Sequence, residues 1–272
     1  MSISLKNKTF FITGGSRGIG RAIALKLAQE KANIIIASKT DAPHPDLEGT
    51  IHSVAKEVEE TGGKALPLAV DIRDETAIYE AVKKCVSKFG GIDGLINNAS
   101  AIAVGETQNF PLKKYDLIQS VNARGTYACI QACLPHLIQS EIGRVITLSP
   151  PINLSPKWLG YAPAYMMSKY GMTLLTLGIG AEYHEKGLKT CTLWPATLIA
   201  TDAIKVNFPD MYENTRQPEI VADAVSTVLK SGSGFTGKSY TDEQILKESG
   251  INNFDKYQNH NNKLLGDIFL DD

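Results

Sequence analysis

Apolar residues fall along this chain in two alternating rhythms. Short runs rich in β-branched side chains predict strands at Thr9–Thr13, Asn33–Ser38, Lys64–Val70, Gly94–Asn97, Arg144–Leu148 and Lys189–Leu193, with a last short one near Lys238–Thr241. Between them, longer stretches at helical spacing predict helices near Ile19–Glu30, Thr50–Thr61, Glu75–Phe89, Tyr115–Ile138, Ala164–Glu185 and Pro218–Lys230. This alternation is that of βαβ units. Right-handed crossovers then build an α/β fold, a Rossmann-like doubly wound parallel sheet with helices on both faces, in a single domain. Two segments break the rhythm. Leu198–Arg216 follows a strand and carries Phe208, Met211 and Tyr212, as a lid over a substrate pocket would; the Asn- and Asp-rich stretch from Asn252 reads as a tail that wraps the surface or frays. The folded domain is therefore expected over residues 1–251, with the lid at about 198–216 and the tail at 252–272.

The turn after the first predicted strand brings the first chemistry. Thr13-Gly14-Gly15-Ser16-Arg17-Gly18-Ile19-Gly20 leads directly into a helix. Glycines let the chain turn tightly and bring backbone N–H groups against a pyrophosphate at the positive end of the helix dipole. The spacing Gly-x-x-x-Gly-x-Gly is wider than the Gly-x-Gly-x-x-Gly fingerprint and lacks the Gly-Lys-Ser/Thr ending of a nucleotide-hydrolysing loop, so nucleoside triphosphate chemistry is disfavoured. The bland alternative is a Gly-rich turn that binds nothing. An NAD site would place Asp or Glu about 20 residues further on, at the end of the second strand. Here the positions read Ser38-Lys39-Thr40. Lys39, with Arg17, would attract a 2′-phosphate, which points to NADP(H). Asp41 leaves room for NAD, and the rival for Lys39 and Arg17 is a pair of solvated surface charges.

A second constellation opens the long helix near residue 164. Tyr165 and Lys169 are four apart and share one helical face. A phenol has a pKa of about 10, and bringing it near 7 takes about 4 kcal/mol of preferential phenolate stabilisation, which a fixed cation nearby can supply. A core Tyr beside a surface Lys is common at this spacing; the glycine turn is what gives the pair weight.

Composition narrows the partners. Lys and Arg total 28 against 29 Asp and Glu, a net charge of −1, which gives no general attraction to nucleic acid or to an anionic membrane. Small molecules, or copies of the chain itself, are expected instead. Met1–Phe11 lacks the pattern of a signal peptide, and nothing approaches the ~18 consecutive apolar residues of a membrane span, so a soluble, cytoplasmic protein is expected. Cys85, Cys129, Cys133 and Cys191 form no C-x-x-C pair. Cys129 and Cys133 lack a His or carboxylate at ligand spacing, so buried reduced thiols are expected rather than a metal site.

With the glycine turn and Tyr165/Lys169 in place, the chain resembles a short-chain dehydrogenase/reductase over nearly its whole length. On that resemblance Asp71 contacts the adenine, and Asn97-Asn98-Ala99-Ser100 is similar to the Asn-Asn-Ala-Gly element that supports sheet and cofactor. Asn122, in Val121-Asn122-Ala123-Arg124-Gly125, resembles the helix asparagine that holds a proton-relay water, and Thr201 matches the nicotinamide-facing threonine one residue late. The implied cofactor site is Gly14, Gly15, Ser16, Arg17, Gly18, Ile19, Gly20, Lys39, Asp71, Asn98, Tyr165, Lys169 and Thr201; the implied catalytic set is Tyr165, Lys169, Asn122 and Ser149, with no metal. There are departures. Alignment of Val145–Pro150 puts Pro150 where the family has its substrate-binding serine, and proline has no donor to offer. Ser149 is the nearest substitute, with a strand-end capping role as its rival, and Asn153 and Ser155 are further candidates. The family's Pro-Gly after strand six is Pro195-Ala196.

Ala37-Ser38-Lys39-Thr40, Pro43-His44-Pro45, Ser149-Pro150-Pro151-Ile152-Asn153-Leu154, Phe235-Thr236-Gly237 and Asp242-Glu243-Gln244-Ile245-Leu246-Lys247-Glu248 are similar to family members that carry an added sterol-carrier domain. They imply NADP(H) and a lipid-related carbonyl or alcohol. The chain ends at Asp272, so no lipid-carrier role is carried over. The expected function is an NADP(H)-dependent oxidoreductase that interconverts a carbonyl and an alcohol on a small apolar or lipid-like substrate, with Tyr165 as general acid/base. Trp158, Leu159, Tyr161, Ile102, Phe208 and Met211 are the expected pocket walls, each of which could equally be ordinary core. The rivals are a non-catalytic NADP(H)-binding or redox-sensing protein, and a cofactor-regenerating epimerase or dehydratase. The resemblance also implies a homodimer or homotetramer packed through Tyr115–Ile138 and Ala164–Glu185.

Overall fold

The structure is a computed structural model that describes residues 2–43, 45, 47–260 and 262–271. His44, part of one stretch singled out above, lies outside the described residues. Seven strands, β1 (Thr9–Thr13), β2 (Asn33–Ser38), β3 (Lys64–Ala69), β4 (Gly94–Asn97), β5 (Arg144–Leu148), β6 (Lys189–Trp194) and β7 (Ser239–Thr241), form one parallel sheet in the order β3-β2-β1-β4-β5-β6-β7. Central strands are buried on both faces, which is why they read as continuous apolar runs. Phe10, Ile12, Ile34, Ile36, Ile96 and Ile146 pack on one side, and Phe11, Ile35, Leu95 and Val145 on the other. β3 is an edge strand, and only such a position tolerates its Pro67.

Helices cover both faces. On the first lie α1 (Gly18–Gln29), α2 (Ile51–Glu60), α9 (Glu219–Lys230) and α10 (Asp242–Glu248); on the second lie α3 (Glu75–Phe89), α5 (Gly125–Leu137) and α7 (Pro163–Glu182). Between these run α4 (Leu112–Gln119), the short α6 (Pro156–Leu159) and α8 (Asp202–Asn207). Local chemistry fixes the ends. Thr50 with Ser53 and Thr241 with Gln244 make capping boxes, Asp74 caps α3, and Pro163 opens α7. α10, which the hydrophobic pattern does not announce, is started by the Thr241 box.

The helix predicted as one piece over Tyr115–Ile138 is interrupted. α4 begins at Leu112, and a π-helical turn at Ser120–Arg124 joins it to α5. The tail departs further from expectation. Phe254, Tyr257 and Phe269 are all buried, Phe269 completely, so the described part of the segment beyond residue 251 contributes side chains to the core. Its apolar side chains anchor an otherwise polar stretch. The strand order reverses direction between β1 and β4, and the crevice at the carboxyl ends of these strands is where an open α/β sheet presents a site.

Candidate active site

A cleft of about 520 Å³ opens at that switch point. At one end lies the glycine turn. Gly14, Ser16, Arg17, Gly18 and Ile19 line the cleft, while Gly15 and Gly20 stand behind it. A Cβ on Gly20 would come within 2.3 Å of the Gly14 carbonyl, so this glycine serves the close packing of turn and helix. Gly14 has φ +67° and a Cβ there would press on Ala99 and Asn98, which pin the turn: Asn98 Nδ2 donates to the Thr13 and Gly14 carbonyls at 2.9 and 3.0 Å. Asn98 also lines the cleft.

Beyond the turn the cleft is cationic. Lys39 and Asp71 line it, and so does Arg73, which the sequence reading missed. The Arg73 guanidinium holds Asp71 with two bonds from Nε at 3.0 Å, and this lowers the Asp71 carboxyl below its ordinary range. A basic residue two positions past the strand-end aspartate was the available signal. Arg17 Nη2 donates to the Gly49 carbonyl at 3.1 Å. Asp41, the candidate diol ligand of an NAD site, does not line the cleft and is bonded instead to His52 at 2.7 Å.

At the other end Tyr165 and Lys169 project from the first turns of α7. Lys169 is buried; its ammonium donates to the Leu148 carbonyl at 2.7 Å and sits 5.0 Å from the Trp194 ring centroid. An ammonium has three donors, so two remain for a ligand. Burial draws Lys169 down to about 7, against the pull of Asp267. Tyr165 is only 3% exposed, and burial, reinforced by Asp267, raises its phenol above the ordinary range; the Ser100 hydroxyl acts the other way. The phenol is thus held protonated. Thr201 lines the cleft and caps α8, accepting from Ile204 N at 3.5 Å.

Asn122 has a structural setting that its sequence position did not show, and the place expected for Ser149 is corrected. Asn122 is fully buried in the π turn: its Oδ1 accepts from the Ala101 N–H at 2.8 Å, and its Nδ2 donates to the Ala101 carbonyl at 3.0 Å and to Ser168 Oγ at 2.9 Å. Its side chain clamps the loop after β4 to α7. Ser149 is also fully buried and does not line the cleft; its Oγ lies 2.9 Å from Thr173 Oγ1, which also donates to the Pro150 carbonyl at 2.6 Å. Of the expected walls, Ile102 and Phe208 line the cleft, whereas Trp158, Leu159, Tyr161 and Met211 do not. From the segment expected as a lid, Ala203, Ile204, Asn207 and Phe208 line the cleft.

Further residues that sequence reasoning did not supply come from the tail. Asp267 and Ile268 line the cleft beside Tyr165 and Lys169. Burial pushes the Asp267 carboxyl up to about 8. Phe269 stacks on Tyr165 at 6.2 Å between centroids and touches Trp158, Tyr170 and Trp194 as well. Trp194 Nε1 donates to the Ile268 carbonyl at 3.0 Å, and Trp158 Nε1 donates to Asp271 at 2.9 Å. The apolar run Ile268-Phe269-Leu270 inside a polar tail was the signal.

The four cysteines are buried free thiols, and burial raises Cys85 and Cys129 to about 12. No helix among the described residues is long and apolar enough to cross a membrane.

Comparison with known proteins agrees with this geometry. A family model described as short chain dehydrogenase matches residues 8–211. Hydroxysteroid dehydrogenase-like protein 2 from Homo sapiens is 47% identical over 97% of this chain, and that from Mus musculus 49% over 97%. The chain covers 63% of the human protein and 54% of the mouse one, less than two thirds of either. Among solved structures, a putative dehydrogenase from Xanthomonas campestris superposes with a TM-score of 0.96 at 46% identity, covering 99% of this chain and all of the other. A short chain dehydrogenase from Mycobacterium thermoresistibile gives 0.93 at 46% identity, covering 98% and 96%. The chain therefore belongs to the short-chain dehydrogenase family.

Proposed function

We propose that this chain is an NADP(H)-dependent oxidoreductase that interconverts a carbonyl and an alcohol on an apolar or lipid-like substrate, with Tyr165 as the general acid/base. The observation that carries the reading is the joining of two unlike sites in one cleft: a glycine turn at a helix N-terminus, and a Tyr–Lys pair on one helix face. The residues present fit the dinucleotide. Gly14 and Gly18 take positive φ to form the cradle, and the basic Arg17, Lys39 and Arg73 line the end where a 2′-phosphate would lie. No carboxylate takes the place at the end of β2 that would hold a ribose diol.

The bound nicotinamide supplies or accepts the hydride. Tyr165, held protonated by burial, donates its proton to the oxygen of a carbonyl undergoing reduction and recovers it in the reverse direction. Lys169, locked to Leu148 and Trp194, is the cation available to steady the phenolate that results and to bind a ribose hydroxyl. Asn122 acts as a positioning residue, because it ties the backbone at Ala101 to α7. Ile102, Val104, Leu117, Ile204, Phe208 and Ile268 give the substrate end an apolar wall.

Tyr165→Phe tests the reading. Turnover of carbonyl substrates is expected to fall about 10²- to 10⁴-fold while NADPH still raises the melting temperature. Wild-type turnover by that variant would overturn it. A homodimer or homotetramer through α5 and α7 completes the proposal, supported by exposed Tyr127, Met167 and Leu174 on those helices.

A further inference from the structure

A carbonyl undergoing reduction needs a second hydrogen-bond donor beside the acid that protonates it, to bind the oxygen and stabilise its growing charge. None of the candidates on the strand-five side can serve. Pro150 has no hydroxyl, and Ser149 is buried beside Thr173, away from the cleft. The Asn153 carboxamide donates to Asp271 at 2.8 Å and to the Phe269 carbonyl at 3.4 Å, and Ser155 Oγ is enclosed without a partner and off the cleft.

One hydroxyl from another element does line the cleft with the phenol. Ser100, on the loop that follows β4, lines it together with Tyr165, Lys169 and its own neighbour Ala101. Its backbone is held from both directions: Ala99 N–H donates to Thr13 Oγ1 at 3.0 Å, and Ala101 is bonded through both its N–H and its carbonyl to Asn122. A donor fixed in this way loses little entropy on binding and needs no rearrangement as charge develops. The corresponding place in Asn-Asn-Ala-Gly is a glycine, which has no side chain to offer.

We propose that Ser100 is a catalytic residue that has taken over from the strand-five side the task of donating a hydrogen bond to the substrate oxygen, beside Tyr165. The inference rests on the reading of Tyr165 as acid/base. In the reducing direction the hydride from the reduced nicotinamide forms the new C–H bond and the carbonyl π pair moves onto oxygen. That oxygen takes the Tyr165 proton, while Ser100 keeps its own proton and only shares it. The reverse sequence oxidises the alcohol.

The test compares Ser100→Ala, Ser100→Thr, Ser149→Ala and Tyr165→Phe with NADPH and two apolar aldehydes, decanal and 4-nitrobenzaldehyde. A second readout needs no substrate: the phenolate absorbance of Tyr165 in the NADP⁺ complex, taken as the difference between each protein and its Tyr165→Phe counterpart. Ser100→Ala is expected to lower kcat about 10²-fold with an unchanged NADPH-induced melting shift, and to move the phenol titration to higher pH. Ser100→Thr restores both, and Ser149→Ala changes neither. Wild-type kcat, or an unmoved phenol titration, in Ser100→Ala overturns the proposal. If Tyr165→Phe also keeps full turnover, the acid/base reading itself fails, which is a separate result.

Discussion

Arg17, Lys39 and Arg73 line the cleft, and the proposed cofactor makes them the side chains that would tell a 2′-phosphate from a hydroxyl. A charge-assisted hydrogen bond contributes about 1.5–3 kcal/mol, so Arg17→Ala with Lys39→Ala is expected to weaken NADPH binding at least about tenfold and leave NADH nearly unchanged. Calorimetric titration of both cofactors measures this; equal losses for the two would remove the 2′-phosphate assignment. Asp267 makes a prediction of another kind. Folded, its carboxyl titrates near 8; unfolded, near 4. Between those values the folded chain keeps a proton that the unfolded chain has released, so the contribution of this group to stability is full below the unfolded pKa and is lost as pH rises through 8. Besides burial, the groups that act on it are the Ile268 N–H and the Lys169 ammonium, which lower it, and the Asp242 carboxylate, which raises it. Asp267→Asn has no such loss, so its melting temperature relative to the wild type is expected to rise between about pH 4 and about pH 8. A difference that stays flat across that range would show the carboxyl to be solvated.

Among elements, the tail and the π turn are where reading the chain residue by residue fell short. Strand positions and the glycine turn were legible because their causes are local: a β-branched run, and a glycine that takes positive φ at no steric cost. The Tyr–Lys pair was legible because helical spacing is local too. The π turn at Ser120–Arg124 was not, because Asn122 gains its bonds from Ala101 and Ser168, residues far away in sequence. For the same reason Ser149 was misplaced: its surroundings are set by Thr173, 24 positions on. The tail was hidden by its polarity, since its docking depends chiefly on one phenyl ring. Phe269→Ala removes a fully buried side chain that contacts four aromatic rings, a loss of about 3–5 kcal/mol, or on the order of 10 °C in melting temperature. Protease susceptibility confined to residues beyond 251 would accompany it; an unchanged melting temperature would mean that the ring is dispensable.

At the scale of the whole molecule, α5 and α7 each leave a large apolar side chain open to solvent. Leu174 on α7 is 63% exposed and Tyr127 on α5 is 45% exposed, on the helices through which copies are proposed to pack. Leu174→Glu is expected to convert the assembly to monomers in sedimentation velocity, and a wild-type chain already monomeric at micromolar concentration would overturn the proposed packing. The docked tail bears on the whole molecule in another way. The chain has two tryptophans, and both give their indole N–H to it: Trp158 to Asp271 and Trp194 to the carbonyl of Ile268. Indole emission depends on the polarity and bonding around the ring, so the protein carries an unlabelled optical gauge of whether the segment Ile268–Asp271 is seated near Tyr165 and Lys169. Every ligand that enters the cleft can be asked, by fluorescence alone, whether it leaves that segment in place.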